Sequence, residues 1–261
     1  MQREFKLKTK QVIIPICNLR LKPNSNSNLE TQLLFGEKVK IIKEVNSKWL
    51  LCESIQDNYI GYLKKECLGD ISTASHKINN LSSFIYKKPD IKSGVISKLY
   101  FNSRVLAIRS KNDWLSILVK NKKGYIHKKD LDLLNQNHNF NKRWVDVALK
   151  FLNTPYLWGG KSHAGLDCSA LVQLVFQNYD KSFPRNSVDQ FKSSLLKTSS
   201  EDKLDKGTLI FWKGHVAIAI NKKEIVHSNA YHMKVAIEKL NDAKKRIENS
   251  YGKIIGFKRL N

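Results

Sequence analysis

The 261-residue sequence is poor in cysteine and has no long apolar run. No Cys-x-x-Cys pair occurs, which argues against a zinc-ribbon spacing and against the disulfide framework of a small secreted domain. The apolar stretch near the N-terminus, VIIPIC, is too short for a secretory leader or a membrane span and is broken by proline. We therefore expect a protein of the reducing cytoplasm that does not act at a membrane. The cysteines are Cys17, Cys52, Cys67 and Cys168.

Acidic residues are scarce as well, with 23 Asp and Glu against 46 Lys and Arg, so the formal net charge is +23. A charge of this size raises the question of a nucleic-acid partner. The lysines, however, are spread along the whole chain as KK doublets instead of being grouped in one arm. We expect a solvated basic surface and no nucleic-acid partner, although the charge would attract a small acidic substrate.

Apolar residues are nevertheless sufficient for a core, because 41% of the chain is hydrophobic and 10% is aromatic. The length predicts two or three domains. An internal repeat supports this, since residues 19–68 align with residues 84–131 at an offset of 63 to 66 positions. The aligned pairs are Pro23 with Pro89, Val39 with Val105, Trp49 with Trp114, and Gly61-Tyr62 with Gly124-Tyr125.

Short runs with alternating apolar residues recur in both copies, namely KVKII, WLLCES and YIGYL, then RVLAI, WLSILV and GYIH. Period-two runs of this length predict short strands of a small barrel. The pattern resembles bacterial SH3-like domains, which implies two small SH3-like β-barrels over residues 10–70 and 76–135. The polar segment NQNHNFN, residues 135–141, predicts a linker to a third domain over residues 140–261.

The third domain has a different pattern. KRWVDVALKFLN predicts a helix that ends at Thr154-Pro155, a second helix begins at Cys168, and a third begins near Ser187. Strand-like runs then follow as TLIFW, HVAIAI, EIVHS, KVAIE and IIGFKRL. Helices followed by antiparallel strands predict an α+β fold.

Cys168 is the candidate nucleophile. A thiol at the start of a helix experiences the positive end of the helix dipole and free backbone amides, which favour the thiolate that acyl transfer requires. The alternative is a buried, inert cysteine.

Gly159, Gly160 and Gly165 in the preceding loop permit close approach of a ligand to the backbone. Asp167 opposes ionisation of its neighbour, so we expect its carboxylate to bind a substrate ammonium group.

Two histidines are the candidate base and its orienting group. His215 opens the strand HVAIAI and His227 closes the next strand, so a short antiparallel turn between the strands would bring the imidazoles together. The alternative for each is a histidine that merely satisfies hydrogen bonds at a strand end. A metal site built from these histidines and Cys168 lacks any His-x-x-x-His or Cys-x-x-Cys spacing, so we predict no metal and no cofactor.

Four ordered motifs resemble the NlpC-type (NlpC/p60) cysteine peptidases, papain-like enzymes that act on bacterial cell-wall peptides. They are YLWGGKSHAGLDCSALV, FPRNSVDQ, GTLIFWKGHVAIAI and IVHS, and the resemblance spans about residues 142–259. It implies that Cys168 is the nucleophile, His215 the base and His227 the polar third member. It also implies that Tyr156 is a pocket residue that assists the oxyanion.

The match to the family has modest departures. Ala170 stands where the family usually has glycine, and Thr208 stands where GDL is common. Arg185, in the second motif, is expected as a surface arginine beside a helix, with pairing to a substrate carboxylate as the alternative.

Two SH3-like domains before such a unit resemble the γ-D-glutamyl-L-diamino-acid endopeptidases of murein peptide recycling. This implies an enzyme that hydrolyses the γ-D-glutamyl–diamino acid bond of murein peptides with a free N-terminal L-Ala, through an acyl-enzyme. We also expect a monomer. Asp167 and Ser169 match the positions that bind the amine, while Glu37 and Tyr59 are candidates for closing the pocket. The alternative for the latter two is a solvated turn glutamate and a barrel-core tyrosine. Trp158 either walls the pocket or packs structurally.

Two other functions compete with the peptidase. The first is a non-catalytic protein that binds the cell wall, which the complete Cys, His, His set argues against. The second is an amidase or acyltransferase of the same superfamily, for which the carboxylate of Asp167 would have no use.

Overall fold

The computed structural model describes residues 8–119, 122–134 and 140–261. The chain divides into two compact units, Met1–Gln136 and Asn137–Asn261. Within the described ranges, no helix is long and apolar enough to cross a membrane. The predicted linker falls mostly on residues 135–139, which lie outside the described residues. The predicted boundaries at 70, 76, 135 and 140 stay predictions.

The first part of unit 1 is a seven-stranded antiparallel sheet. Its strands are β1 (Thr9–Val12), β2 (Ile16–Arg20), β3 (Leu29–Leu34), β4 (Lys38–Glu44), β5 (Trp49–Ser54), β6 (Ile60–Lys64) and β7 (Leu68–Gly69). They are arranged in the order β3-β2-β6-β5-β4-β1-β7. A single 3₁₀ turn, Lys65–Cys67, joins the last two strands.

The second part of unit 1 repeats this order of elements. Its strands are β8 (His76–Ile78), β9 (Ser82–Tyr86), β10 (Val95–Tyr100), β11 (Arg104–Val105), β12 (Ile108–Arg109), β13 (Trp114–Val119), β14 (Lys122–His127) and β15 (Leu131–Leu133). A 3₁₀ turn, Lys128–Asp130, again follows the strand that carries Gly-Tyr. The equivalent order supports the internal repeat seen in the sequence.

The two parts differ at the run RVLAI, which does not form the single strand predicted for it. The chain leaves the ladder between β11 and β12, where the Ala107 N–H donates to the hydroxyl of Ser75 at 3.1 Å. One sheet is thereby replaced by two, a five-stranded sheet in the order β10-β9-β14-β13-β12 and a three-stranded sheet in the order β11-β8-β15.

Each part of unit 1 has its own apolar core. Cys17, Cys52 and Cys67 all lie in the first core, where they act as packing residues. Trp49 is buried, whereas Trp114 is partly buried and contacts the ring of Tyr86 edge-on.

Unit 2 combines helices with a six-stranded antiparallel sheet. Its elements are α1 (Phe140–Leu149), β16 (Lys161–Ser162), β17 (Gly165–Leu166), α2 (Cys168–Asn178), α3 (Ser187–Phe191), β18 (Leu196–Ser199), β19 (Leu209–Trp212), β20 (His215–Ala219), β21 (Glu224–Asn229), β22 (Lys234–Lys239), α4 (Leu240–Tyr251) and β23 (Gly256–Leu260). The sheet order is β18-β23-β19-β20-β21-β22. The predicted α+β fold is confirmed.

Helix α2 occupies the centre of unit 2. Its residues from Cys168 to Gln177 are all buried, and it packs against α1, β20 and β21. A helix that is apolar on most of its surface is stable only when it is enclosed in this way. The sheet and α2 therefore hold the start of the helix in a fixed position.

Helix α4 was not predicted, and neither was β18. Leu240, Ala243 and Ile247 have helical spacing, and all three are buried in a core cluster shared with β19, β20 and β21. The charged residues between them, as in AKKRIENS, hide the pattern because they cover the solvent face of an amphipathic helix.

Candidate active site

Helix α2 begins at Cys168 because Asp167 caps it. The Asp167 backbone is extended, with φ −97° and ψ 180°, and its Oδ1 accepts the Ala170 N–H at 2.9 Å. Its other oxygen, Oδ2, accepts the Gly159 N–H at 2.9 Å. Such a cap satisfies an otherwise unpaired amide of the first helical turn. The same carboxylate thus joins the glycine-rich loop to the start of the helix and fixes the position of the thiol.

The glycines of this loop serve the packing of the loop itself. A Cβ at Gly160 would lie 2.4 Å from the carbonyl oxygen of Gly165, and a Cβ at Gly165 would lie 2.7 Å from the Cβ of Leu157. Gly165 also has φ +156°, which disfavours any other residue. At these two positions the atoms that lie close to the glycine backbone belong to the loop itself, where a ligand was predicted.

The Cys168 thiol is enclosed, with only 8% of the residue exposed. Burial, followed by the adjacent charge of Asp167, raises the pKa of Cys168 to about 12. The backbone N–H groups of Val216 and Ser169 and the charge of Arg185 act in the opposite direction. The prediction of a resting thiolate is therefore wrong, because desolvation of the charge outweighs the amides at the helix start.

The predicted contact between the two histidines is confirmed. His215 stands at the first position of β20, and its Nε2 lies 2.9 Å from Nδ1 of His227 in β21. Burial and the neighbouring His227 lower the pKa of His215 to about 3, and burial also lowers the pKa of His227. Both imidazoles are therefore neutral near pH 7. Since Nε2 of His215 is engaged, Nδ1 is the ring nitrogen available to a thiol.

A carboxylate that was not predicted from the sequence extends this chain of contacts. Glu238 in β22 has Oε2 at 3.0 Å from Nε2 of His227. Arg246 in α4 donates to both carboxylate oxygens, at 3.2 Å from Nε and 2.6 Å from Nη2. Burial alone would raise the pKa of Glu238, but the hydrogen bonds from His227 and Arg246 lower it to about 2. The carboxylate is therefore ionised.

Cys168 and His215 line the same cavity, which has a volume of about 600 Å³. Tyr156 and Trp158 also line it, as predicted, and Trp158 is 68% exposed. Burial raises the pKa of Tyr156, so its hydroxyl stays protonated and able to donate. The remaining lining residues are Lys213, Gly214, Asn229, Ala230, Tyr231, Arg246, Ile247, Ser250 and Tyr251.

Arg185 lies in the interior, contrary to the expectation of a surface arginine, and is only 3% exposed. Its guanidinium binds both oxygens of Asp167, at 3.0 and 2.7 Å, and the Ser169 hydroxyl at 2.8 Å. Neither Asp167 nor Ser169 is among the residues that line the cavity. Their assignment to a substrate amine stays a prediction, since Arg185 already compensates the charge of Asp167.

Glu37 and Tyr59 belong to unit 1. Glu37 is 3% exposed, and its Oε2 accepts the Leu34 N–H at 3.0 Å, so it is a buried turn residue and not a solvated one. Tyr59 packs against the first core, and its hydroxyl donates to Glu30 at 2.8 Å. Their proposed part in closing the substrate pocket stays a prediction.

Among the residues that the structure describes, one group of side chains has the composition of a metal site. His227, His232 and Glu238 offer ligand atoms within 4.8 Å of one another. His227 and Glu238 already share a hydrogen bond through Nε2 and Oε2, and Oε2 of Glu238 also accepts a hydrogen bond from Arg246. The positive guanidinium opposes a cation at that carboxylate. We assign no metal to this group.

The chain is similar to several known proteins. The sequence profile of the NlpC/P60 family matches residues 153–248, and that of the bacterial dipeptidyl-peptidase Sh3 domain matches residues 19–68. The chain is similar to a dipeptidyl-peptidase 6 of Lysinibacillus sphaericus. The two are 28% identical over an alignment 255 residues long, which covers 88% of this chain and 91% of the relative.

Two further proteins extend the comparison. A γ-D-glutamyl-L-lysine dipeptidyl-peptidase of Bacillus subtilis strain 168 is 26% identical, over 77% of this chain and 72% of the relative. The crystal structure of an NlpC/P60 family protein from Bacillus cereus ATCC 10987 superposes with a TM-score of 0.81 and 18% identity, covering 97% of this chain and 99% of that one. At this level of identity, the structural likeness concerns the fold.

Proposed function

This chain carries a cysteine peptidase domain of the NlpC/P60 family behind a bacterial dipeptidyl-peptidase SH3 domain, and we propose that it hydrolyses the γ-D-glutamyl–diamino acid bond of murein peptides. Support comes from relatives named dipeptidyl-peptidase 6 and γ-D-glutamyl-L-lysine dipeptidyl-peptidase. The observation that carries the proposal is the cavity that Cys168 shares with His215, whose Nε2 is held by His227.

In the proposed reaction Cys168 is the nucleophile and His215 the base. The thiol proton moves to Nδ1 of His215 while sulfur attacks the γ-carbonyl carbon and the C–S bond forms. The resulting imidazolium gives this proton to the amine of the diamino acid as the C–N bond breaks. Water then attacks the thioester, passing its proton through His215 to sulfur, and the glutamyl product leaves. His227 orients His215 throughout.

The negative charge that develops on the carbonyl oxygen needs nearby donors. We assign this role to the Cys168 backbone N–H at the start of α2, together with the protonated Tyr156 hydroxyl, which lines the same cavity. Lys213 adds positive charge to the cavity wall and favours an acidic peptide. Trp158 presents an exposed aromatic surface to the peptide.

Recognition of a free N-terminal L-Ala is the most specific part of the proposal. Asp167 and Ser169 flank the nucleophile in the chain and are the proposed amine ligands, with Glu37 and Tyr59 closing the pocket. Because Asp167 already binds Arg185, the ammonium would join this ion pair as a further partner of the carboxylate.

Three further proposals concern the whole protein. Residues 76–135 form a second SH3-like domain, which the repeated element order supports. The protein works in the cytoplasm, in accord with four cysteines that are all free. It acts as a monomer. Cell fractionation and light scattering on the purified chain test the last two statements.

The deciding experiment is incubation with L-Ala-γ-D-Glu-meso-diaminopimelate and with L-Ala-γ-D-Glu-L-Lys, followed by mass spectrometry. We expect L-Ala-γ-D-Glu and the free diamino acid from at least one peptide. Cys168→Ala should yield neither product, while the control Cys52→Ala, in the first core, should cleave normally. Peptide binding without cleavage by the unmodified chain would favour the wall-binding protein, and cleavage of a different amide would favour the amidase.

A further inference from the structure

The protons of the two histidines have to be arranged in one particular way if the proposed function is correct. A neutral imidazole has one nitrogen that donates and one that accepts. The bond between Nε2 of His215 and Nδ1 of His227 can therefore be made in two ways, with either histidine as the donor. The 2.9 Å distance is the same for both.

Only one of these arrangements is productive. If His215 donates from Nε2, its Nδ1 carries a lone pair that can accept the proton of the Cys168 thiol. If His227 donates from Nδ1 instead, the proton of His215 must sit on Nδ1, which then cannot accept the thiol proton. A histidine in the orienting position thus leaves the tautomer of the base undetermined by itself, and a further group has to select it.

We propose that Glu238 is the positioning residue that selects the productive tautomer of His215 through His227. The Glu238 carboxylate has only acceptors, and its Oε2 lies 3.0 Å from Nε2 of His227. A proton on Nε2 of His227 makes this contact a hydrogen bond, whereas a bare Nε2 would place two lone pairs against each other. With Nε2 protonated, Nδ1 must accept from His215, and Nδ1 of His215 is left as the base.

Arg246 completes this arrangement from α4. It holds both oxygens of Glu238, at 3.2 and 2.6 Å, and its guanidinium stacks on the ring of Tyr231 at 4.4 Å. Its charge compensates the carboxylate, so Glu238 accepts a hydrogen bond from His227 without drawing a second proton onto that ring. Burial raises the pKa of Glu238, but the hydrogen bonds from His227 and Arg246 outweigh it and lower the pKa to about 2. The ionised carboxylate is consistent with this role.

The charged and titratable surroundings of His227 come from several elements. They comprise His215 from β20, His232 from the turn after β21, Glu238 from β22 and Arg246 from α4. Among the described residues, Glu238 is the acceptor that lies within hydrogen-bond distance of Nε2 of His227. The selection of the tautomer therefore depends on a residue of the neighbouring strand.

The test uses the full chain labelled with ¹⁵N in its histidines. Long-range proton–nitrogen correlation spectra near pH 7 distinguish protonated from bare ring nitrogens. We expect a protonated Nε2 and a bare Nδ1 on both His215 and His227, assigned with single His→Gln variants. A wild-type spectrum with a protonated Nδ1 on His227 overturns the proposal, whether or not any peptide is cleaved.

The variant Glu238→Gln adds a kinetic readout. Its amide offers one oxygen where the carboxylate offered two, so we expect a mixture of tautomers and a kcat reduced at least about tenfold, with KM changed less than about twofold. The control Glu248→Gln alters a carboxylate of α4 that pairs with Lys253, and it should keep the wild-type tautomers and kcat.

Each outcome bears on one proposal only. Wild-type tautomers and kcat in folded Glu238→Gln would overturn the positioning role while leaving the peptidase intact. The expected tautomers in a chain that cleaves no peptide would instead contradict the proposed function. If Glu238→Gln does not fold by circular dichroism, the wild-type spectrum still decides.

Discussion

At the scale of single residues, Cys168 is subject to opposing influences. Burial and Asp167 raise its pKa to about 12, whereas the backbone N–H groups of Val216 and Ser169 lower it. The pKa of His215 is lowered to about 3. The resting pair is consequently a neutral thiol beside a neutral imidazole, and the charge forms only when the thiol proton is transferred.

This resting state predicts the pH dependence of the reaction. A lowered pKa means that His215 stays unprotonated as the pH falls, so kcat/KM at about pH 5 should remain within about threefold of its value at pH 7. A base with the ordinary histidine pKa of about 6.5 would instead lose about 25-fold. Initial rates with the murein tripeptide measure this pH dependence.

The free energy of unfolding should fall over the same pH range, because the histidines bind protons in the unfolded chain that they exclude in the folded one. Circular dichroism at each pH monitors the loss of stability.

The position of Cys168 in the cavity, together with a base, predicts its reactivity. Cys17 and Cys52 are 0% exposed and Cys67 is 7% exposed, all three within an apolar core, whereas Cys168 lines the cavity with His215, which can take its proton. Iodoacetamide should therefore label Cys168 before the other cysteines, as read by peptide mass mapping. Equal labelling of all four cysteines in the folded chain would contradict an accessible thiol.

The amine requirement is tested on the substrate. Acetylating the N-terminal amine removes its charge, and we expect kcat/KM to fall at least about tenfold, equivalent to about 1.4 kcal/mol. The matched control is the free peptide at the same concentration. Equal rates for the two peptides would refute recognition of the amine by Asp167 and Ser169.

At the scale of elements, the start of α2 depends on the ion pair of Asp167 and Arg185. Only 2% of the Arg185 side chain and 10% of the Asp167 side chain are exposed. Replacing Arg185 with Met leaves the carboxylate enclosed without its cation, and the expected loss is about 3–5 kcal/mol in the free energy of unfolding. Urea denaturation measures this loss.

A double variant separates the pair from its surroundings. Arg185→Met combined with Asp167→Asn removes both charges, so it should destabilise the protein by less than the sum of the single changes, with a coupling of about 1–3 kcal/mol. Purely additive losses would show that the two side chains contribute independently.

Helix α4 links the core of unit 2 to the active site, because its buried face carries Leu240 and its polar face carries Arg246. Leu240→Ala should destabilise the protein by about 2–4 kcal/mol in urea denaturation. The control Val188→Ala, in a residue that is 53% exposed, should cost less than about 1 kcal/mol.

At the scale of the whole molecule, the net charge of +23 predicts a salt effect on turnover. Long-range attraction of an acidic peptide weakens as salt screens it, so kcat/KM should fall severalfold from low to physiological ionic strength. A peptide with amidated carboxyl groups serves as the control and should show little change. Equal salt dependence of both peptides would argue against electrostatic attraction.

Much of the site could be predicted from local sequence. The helix starting at Cys168 follows from the helical spacing of the apolar run, and the pairing of His215 with His227 follows from two strands joined by a short turn. Both predictions depend on neighbours in the chain, where periodicity and turn length limit the possible structures. The α+β order of unit 2 followed from the same patterns.

Other features were decided by the tertiary structure alone. Glu238 reaches His227 through the register of β21 and β22, Arg246 reaches Glu238 from a helix, and Arg185 reaches Asp167 across 18 positions of sequence. The protonation of Cys168 likewise depended on how completely the fold enclosed it. Sequence determines which groups are present and how nearby segments fold, but desolvation and contacts between distant charges arise only once the segments pack together.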